Sequence, residues 1–304
     1  MNFDLSDDQV ALRDGIRSLL AGRFPIERVR EGFDRAAYDE LAEAGVFSLR
    51  EDGFTWADAA IVYEELGRAA VPGPLVWCFG RDRITGGIDL DARGAIQVEH
   101  LDVLDDLLVI DGDALRRVDP KTVEGEAQGW PLDPLTPVWT VADLPEGEPA
   151  GGATDVTALR VQGALLTAAF LVGMADVLTE MAVAYAKERE QFDRPIGSFQ
   201  AVKHICADMA VRSEVARVAT HAAACVLDDP STGEGARSLA GAKLLANEAA
   251  IQNGRAATQV YGGMGFTWEV DVHLYLKRAW VLDTVFGSVD EHADVVAATL
   301  PPAQ

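Results

Sequence analysis

The stretch ALLTAAFLVGMA, residues 164–175, constrains the fold more than any other, because only Thr167 interrupts it with a polar side chain. A helix apolar on every side must be covered on every side, so this segment belongs inside a helical bundle or a subunit interface. Continuing from it, Leu171, Met174, Leu178, Met181 and Tyr185 recur at spacings of three and four, which is one helical stripe. The core helix of a four-helix bundle is the plain reading. The stronger expectation is that partner helices also cover 164–175, since so apolar a surface does not face water.

Two further helices are predicted at about 198–228 and 236–260, separated by DDPSTGEG, and a last one at about 282–299. Four helices with short connections suit an antiparallel bundle. The first 75 or so residues are helical as well. Ser6 precedes DDQVALRDGIRSLLAGRF, in which Val10, Ile16, Leu19 and Leu20 share a side and acidic residues fill the first turn, where the helix dipole favours them. Thr55 is the candidate cap of WADAAIVYEELGRAA, which VPGPL stops. Between 81 and 152 short apolar runs (AIQVEHL, LLVI, PVWTVADL) alternate with Gly, Pro and Asp, the texture of short strands and turns, and PEGEPAGGATD reads as a linker. The expected architecture is mainly α: a helical domain over 1–80, a reduced β-rich module over 81–152 and a C-terminal four-helix bundle over 153–304.

Charge narrows the function. Lys and Arg number 26 against 49 Asp and Glu, a formal charge of −23 over 304 residues. Such a surface repels phosphate backbones and anionic lipid, so nucleic-acid binding and membrane insertion are not expected and a basic protein surface is the easier partner. Cys78, Cys206 and Cys225 contain no CxxC pair, and the five histidines lack ligand spacing, so neither a disulfide framework nor a metal site is indicated. The acidic opening MNFDLSDDQVALRDG is unlike a signal peptide, which makes the cytoplasm the expected location.

Two motifs carry chemistry. In AYAKEREQFDRPIGSFQAVKH, 184–204, one helix ends and another begins across a short corner holding Arg189, Gln191, Phe192 and Gln200. That is an anion-pairing group, two amides and an aromatic ring. Taken alone, Arg189 is also compatible with a solvated helix charge and Phe192 with a corner plug. In QVYGGMGFTWE, Gly262, Gly263 and Gly265 permit positive φ and close backbone approach, as a phosphate-binding loop needs and as a helix C-terminus also needs.

These two motifs, with FDLSDDQVALRDGIRSLL and YEELGRAAVPGPL before them in the same order, resemble the acyl-CoA dehydrogenases. The resemblance covers the first 75 residues and everything after about 155. It implies a helical domain, a small β-domain and a C-terminal four-helix bundle. It also implies FAD-dependent oxidation of the Cα–Cβ bond of an acyl thioester, in which a carboxylate takes the α-proton and the β-hydrogen leaves as hydride. In the family the corner clasps the diphosphate and adenosine part of a neighbouring subunit's FAD. Carried over, Arg189 pairs with the diphosphate, Phe192 lies against the adenine, and Gln191 and Gln200 hydrogen-bond nearby, a guanidinium being matched to phosphate oxygens in a charge-assisted fork. Gln259, Gly262 and Gly263 match the family's loop against the ADP part.

The departures are as telling. The family's glutamate base follows an aromatic residue near the start of the last helix, where this chain has Gly287 after Phe286. A minority of the family places it on the first bundle helix, at a position that falls on Gly163. The Thr- and Ser-bearing phrase ending near GSD that cradles the isoalloxazine and thioester has no counterpart after VPGPLVWCFGRDR, and Asp193 replaces the corner's usual glycine. The resemblance is therefore to the base-lacking subunit of heteromeric (α2β2) bacterial enzymes, a paired type associated with steroid side-chain degradation. A catalytic partner would supply the glutamate and hold most of the acyl-CoA. Two rivals stand beside this reading: a self-sufficient enzyme with its base moved to Asp283, Asp290 or Glu291, and a flavin-free scaffold.

Overall fold

A computed structural model describes residues 4–90 and 95–300. In chain order the elements are helices α1 (Asp7–Arg23), α2 (Ile26–Val29), α3 (Arg35–Glu43), α4 (Trp56–Arg68) and α5 (Leu75–Cys78). Strands β1 (Thr85–Asp89), β2 (Ile96–Glu99), β3 (Asp106–Asp111), β4 (Ala114–Val118), β5 (Gly125–Ala127), β6 (Val138–Val141) and β7 (Glu148–Gly151) follow. Then come α6 (Ala153–Glu188), the two-residue strands β8 (Glu190–Gln191) and β9 (Arg194–Pro195), α7 (Gln200–Asp228), α8 (Gly235–Tyr261), α9 (Val272–Leu282) and α10 (Val289–Ala298). These form two compact units. One takes the chain up to Gly22, Trp56–Val71 and everything from Ala164; the other takes Arg23–Thr55 and Pro72–Gly163. The N-terminal helices are thus divided between the two, and α6 contributes to both.

The first unit is a helical bundle around α6. Every residue from 164 to 175 is buried within this one chain, with Leu165, Leu166, Leu171, Val172 and Met174 at 0% exposure. Partner helices are therefore not needed to cover the apolar run. Each such leucine contributes about 1.5–3 kcal/mol by leaving water. The helix is long and apolar enough to cross a membrane, but 78% of its apolar window is buried in the protein, as in a core helix.

Glycines set the spacing of α4 against α6. A Cβ on Gly67 would lie 1.9 Å from the Phe170 carbonyl oxygen, and one on Gly173 would lie 1.8 Å from that of Glu64, so the two backbones touch. On the other sides the Asn253 amide of α8 donates to the carbonyls of Ala175 at 3.1 Å and Met209 at 3.0 Å, tying α6, α7 and α8 together. An ionic cluster joins α1, α4, α6 and α7: Arg217 reaches Glu64 at 2.8 Å and Asp176 at 3.0 Å, Arg68 pairs with Asp176 and Glu180, and Arg17 pairs with Glu65. Burial works against the Glu64 charge. The hydrogen bond from His221 and the charge of Arg217 outweigh it and hold the carboxyl below the usual glutamate range.

The helix ends follow partly from local sequence. At α1, Ser6 and Gln9 cap each other reciprocally, the Gln9 amide donating to Ser6 Oγ at 3.2 Å and the Ser6 amide to Gln9 Oε1 at 3.1 Å. At α4 the amides of Trp56 and Ala57 donate to the carboxylate of Asp228, at the far end of α7, an acceptor that the neighbourhood of Thr55 does not reveal. The last helix, expected at 282–299, starts later, as α10 at Val289, because Phe286 (φ +57°) and Gly287 (φ +108°) enter the left-handed region and Ser288 opens a capping box with Glu291; α9, before that turn, was not expected.

The second unit holds the two larger sheets. One has the order β1-β3-β4-β7, with β1 parallel to β3 and the remaining pairs antiparallel; the other is the antiparallel sheet β2-β6-β5. Leu107, Val109 and Ile110 of β3 form its core at 0% exposure. The segment expected to be a linker contains β7, which closes the first sheet by pairing with β4. The first turns of α6 are held to β1 by Arg160, whose guanidinium meets the Asp89 carboxylate at 2.8 and 2.9 Å.

Candidate functional site

The corner is a miniature hairpin. After α6 ends at Glu188, β8 and β9 pair across Phe192 and Asp193, whose φ angles are +56° and +61°. Two-residue hairpins of the favoured twist need positive φ at both central positions. Asp193 stands where the family has glycine, and a short polar side chain adopts this conformation at modest cost. Phe192 does so less easily, which stores strain at an exposed tip.

The hairpin fixes its side chains differently. The Arg189 amide donates to the Tyr185 carbonyl at 2.8 Å and its own carbonyl accepts from the Ile196 amide at 2.8 Å, while its guanidinium is exposed and meets no carboxylate among the described residues. Phe192 is 86% exposed. Its ring lies nearly perpendicular to that of Phe199, with centroids 6.1 Å apart, and the Arg194 guanidinium lies 4.0 Å over the Phe199 ring. Gln191 is exposed and donates to the Glu190 carbonyl at 2.7 Å. Gln200 is the exposed first residue of α7.

The glycine run lies beside this corner. Tyr185 and Tyr261 stack with centroids 4.1 Å apart, which brings the end of α6, one turn before Arg189, against the end of α8, one residue before Gly262. Gly262 has φ +60°, and a Cβ at either Gly262 or Gly263 would meet nothing within 4 Å. Gly265 is different: its Cβ would fall 2.6 Å from the Thr258 carbonyl oxygen, so it serves packing. Gln259 is exposed on the last turn of α8. Sequence reasoning passed over the aromatic residues just beyond. Phe266 is 83% and Trp268 58% exposed, and the Lys277 ammonium lies 4.4 Å from the Trp268 ring. Their signal was the pairing of GF and TW with a glycine loop.

An exposed guanidinium, aromatic faces and two glycines with open backbone are what the diphosphate and adenosine of a flavin dinucleotide require. The fit reaches the nucleotide half only. The β-module offers no matching Thr/Ser phrase for the ring system.

The expected base position is closed. A Cβ on Gly287 would lie 2.6 Å from His292 Nε2, and its φ of +108° disfavours any side chain. The other candidate position, Gly163, is buried in α6. Among the relocated candidates, Glu291 accepts from both the amide and the hydroxyl of Ser288, at 2.8 and 2.9 Å, in the cap of α10. Asp290 is exposed beside it. Asp283 lies at the end of α9 with Oδ1 buried and unbonded. Its carbonyl accepts from Lys243, a fully buried lysine that also binds the Leu282 carbonyl and Asn247. Burial drives the Lys243 pKa down to about 7, partly offset by Asp283.

Residues 151–300 match the family model described as Acyl-CoA dehydrogenase, C-terminal domain. Acyl-CoA dehydrogenase IpdE2 of Mycobacterium tuberculosis is 33% identical over 303 residues, spanning 90% of this chain and 91% of that protein. Acyl-CoA dehydrogenase FadE34 of the same organism is 32% identical over 90% of this chain, which spans only 45% of FadE34. The solved ChsE4–ChsE5 complex, also from Mycobacterium tuberculosis, has a chain of the same fold, with a TM-score of 0.81 at 22% identity over 99% of this chain and 100% of that one. The chain belongs to the acyl-CoA dehydrogenase family of FAD-dependent oxidoreductases.

Proposed function

We propose that this chain is the base-lacking subunit of a heteromeric acyl-CoA dehydrogenase, arranged as α2β2, whose corner and glycine loop complete the flavin site of a catalytic partner. The observation that carries the reading is Gly287, held at φ +108° with His292 2.6 Å from where a side chain would begin. A side chain there would have to displace His292 on a strained backbone, while Arg189, Phe192, Gln200, Gln259, Gly262 and Gly263 remain at one end of the bundle. FAD, when bound, supplies the redox chemistry of α,β-desaturation. This chain's part is to pair Arg189 with the diphosphate, to lay Phe192 against the adenine, and to bring the open amides of the glycine loop to the ADP oxygens. Gln191 and Gln200 add hydrogen bonds at the rim. The α-proton then passes to a glutamate of the partner.

Two comparisons support an unlike partner. A chain of this fold occurs in the ChsE4–ChsE5 complex, and FadE34 has more than half its length left over beyond the part this chain spans, room for a second subunit of similar size. A steroid side-chain thioester is the substrate class proposed. The test is co-expression with a second acyl-CoA dehydrogenase chain, followed by a visible spectrum and turnover with a panel of acyl-CoA thioesters, steroid side-chain thioesters included. Yellow, active complex and inactive single chain are expected. Turnover by the single chain, abolished by substituting Asp283, Asp290 or Glu291, would instead establish a relocated base.

A further inference from the structure

We infer that Arg194 and Phe199 are positioning residues for the adenine ring of the flavin nucleotide, acting through Phe192; this rests on the flavin-site reading above. Phe192 is 86% exposed at φ +56° on a two-residue turn, a conformation a bulky side chain avoids unless its surroundings fix it. One chain of contacts reaches its ring. The Arg194 guanidinium covers a face of Phe199 at 4.0 Å, and Phe199 meets Phe192 edge to face, with centroids 6.1 Å apart and planes at 80°. At 86% exposure the Phe192 ring keeps most of its surface available to a planar partner. The division of labour between the two arginines follows from their contacts. Arg189 has no partner among the described residues and remains for the phosphates, whereas Arg194 spends its charge on a π-face. Arg194 and Phe199 belong to the hairpin and to the residue capping α7, so the stack is complete within this chain before any nucleotide arrives. Its function is to remove the rotational freedom that Phe192 would otherwise lose on binding.

The test uses the assembled flavoprotein, purified through a tag on this chain, with FAD as the probe and dissociation followed by the return of free-flavin fluorescence. Arg194→Ala is expected to weaken FAD two- to fivefold, the equivalent of about 0.5–1 kcal/mol for an exposed cation–π contact. Arg194→Lys, which keeps a cation over the ring, should restore most of the affinity, and Phe199→Leu should match Arg194→Ala. The isolated chain should melt unchanged in all three. Arg189→Ala serves as the reference, expected to lose ten- to a hundredfold. If Arg189→Ala weakens FAD and Arg194→Ala does not, the inference fails and the flavin reading stands. Equal losses for Arg194→Lys and Arg194→Ala would also overturn it, since the stack would not be the cause. If neither arginine matters, the flavin reading itself fails.

Discussion

Replacing Gly287 by alanine tests whether the base position is truly closed. The added methyl must start 2.6 Å from His292 Nε2, inside contact distance, on a backbone at φ +108°. Holding a non-glycine residue in that region costs about 1–3 kcal/mol. Moving the imidazole breaks its 3.2 Å contact with the Phe286 carbonyl, worth about 1 kcal/mol in a buried setting. The expected loss is therefore about 2–4 kcal/mol, and at about 2 °C per kcal/mol for a long chain the melting temperature should fall by roughly 4–8 °C. Thermal unfolding of the purified chain measures it. His292→Ala provides a second handle: the double variant should lose less than the sum of the singles, by about 0.5 kcal/mol or more, because the collision is relieved while the backbone strain remains. Wild-type melting for Gly287→Ala would mean that a side chain fits, and the argument that a glutamate has no seat there would be wrong.

Gly173→Ala should destabilise by about 3 kcal/mol or more, because its Cβ meets the Glu64 carbonyl at 1.8 Å and two helices must part, whereas Gly241→Ala, with nothing within 4 Å, should be neutral or stabilising; chemical denaturation of the two distinguishes them. Lys243 sets a pH dependence. Its folded pKa of about 7 lies below the ordinary lysine value near 10.4, so between those pH values the unfolded chain holds a proton the folded chain lacks, and stability rises with pH. Lys243→Met should flatten that part of the denaturation-midpoint profile, and equal slopes for both proteins would contradict the assignment.

How far the sequence foretold this molecule depends on the range of each interaction. The corner was legible as a turn and the glycine run as a helix end because Gly and Pro punctuate the chain locally, and the bundle was legible because periodicity reports burial. What covers the run 164–175 was not: a helix apolar all round signals complete cover but cannot distinguish the chain's own helices from a partner's. The late start of the last helix escaped because Thr284–Ser288 continues an apolar pattern that helix and turn both allow, and only the left-handed φ of Phe286 and Gly287 delays α10 to Val289. β7 hid in a Gly- and Pro-rich segment because its pairing partner, β4, lies some thirty residues earlier. The contact of His292 with position 287, only five residues away, was hidden because it depends on the left-handed turn between them. A glycine at 287 says only that no side chain is present, and packing shows how little room one would have.

The measurement that bears most directly on the central claim is the FAD affinity of the complex carrying Arg189→Ala. Loss of a charge-assisted contact to phosphate leaves its oxygens unpaired at a cost of about 1.5–3 kcal/mol, so affinity should fall roughly ten- to a hundredfold, with Arg189→Lys recovering only part of it and the isolated chain melting as before. An Arg189→Ala complex that assembles and holds FAD as tightly as wild type would contradict the account.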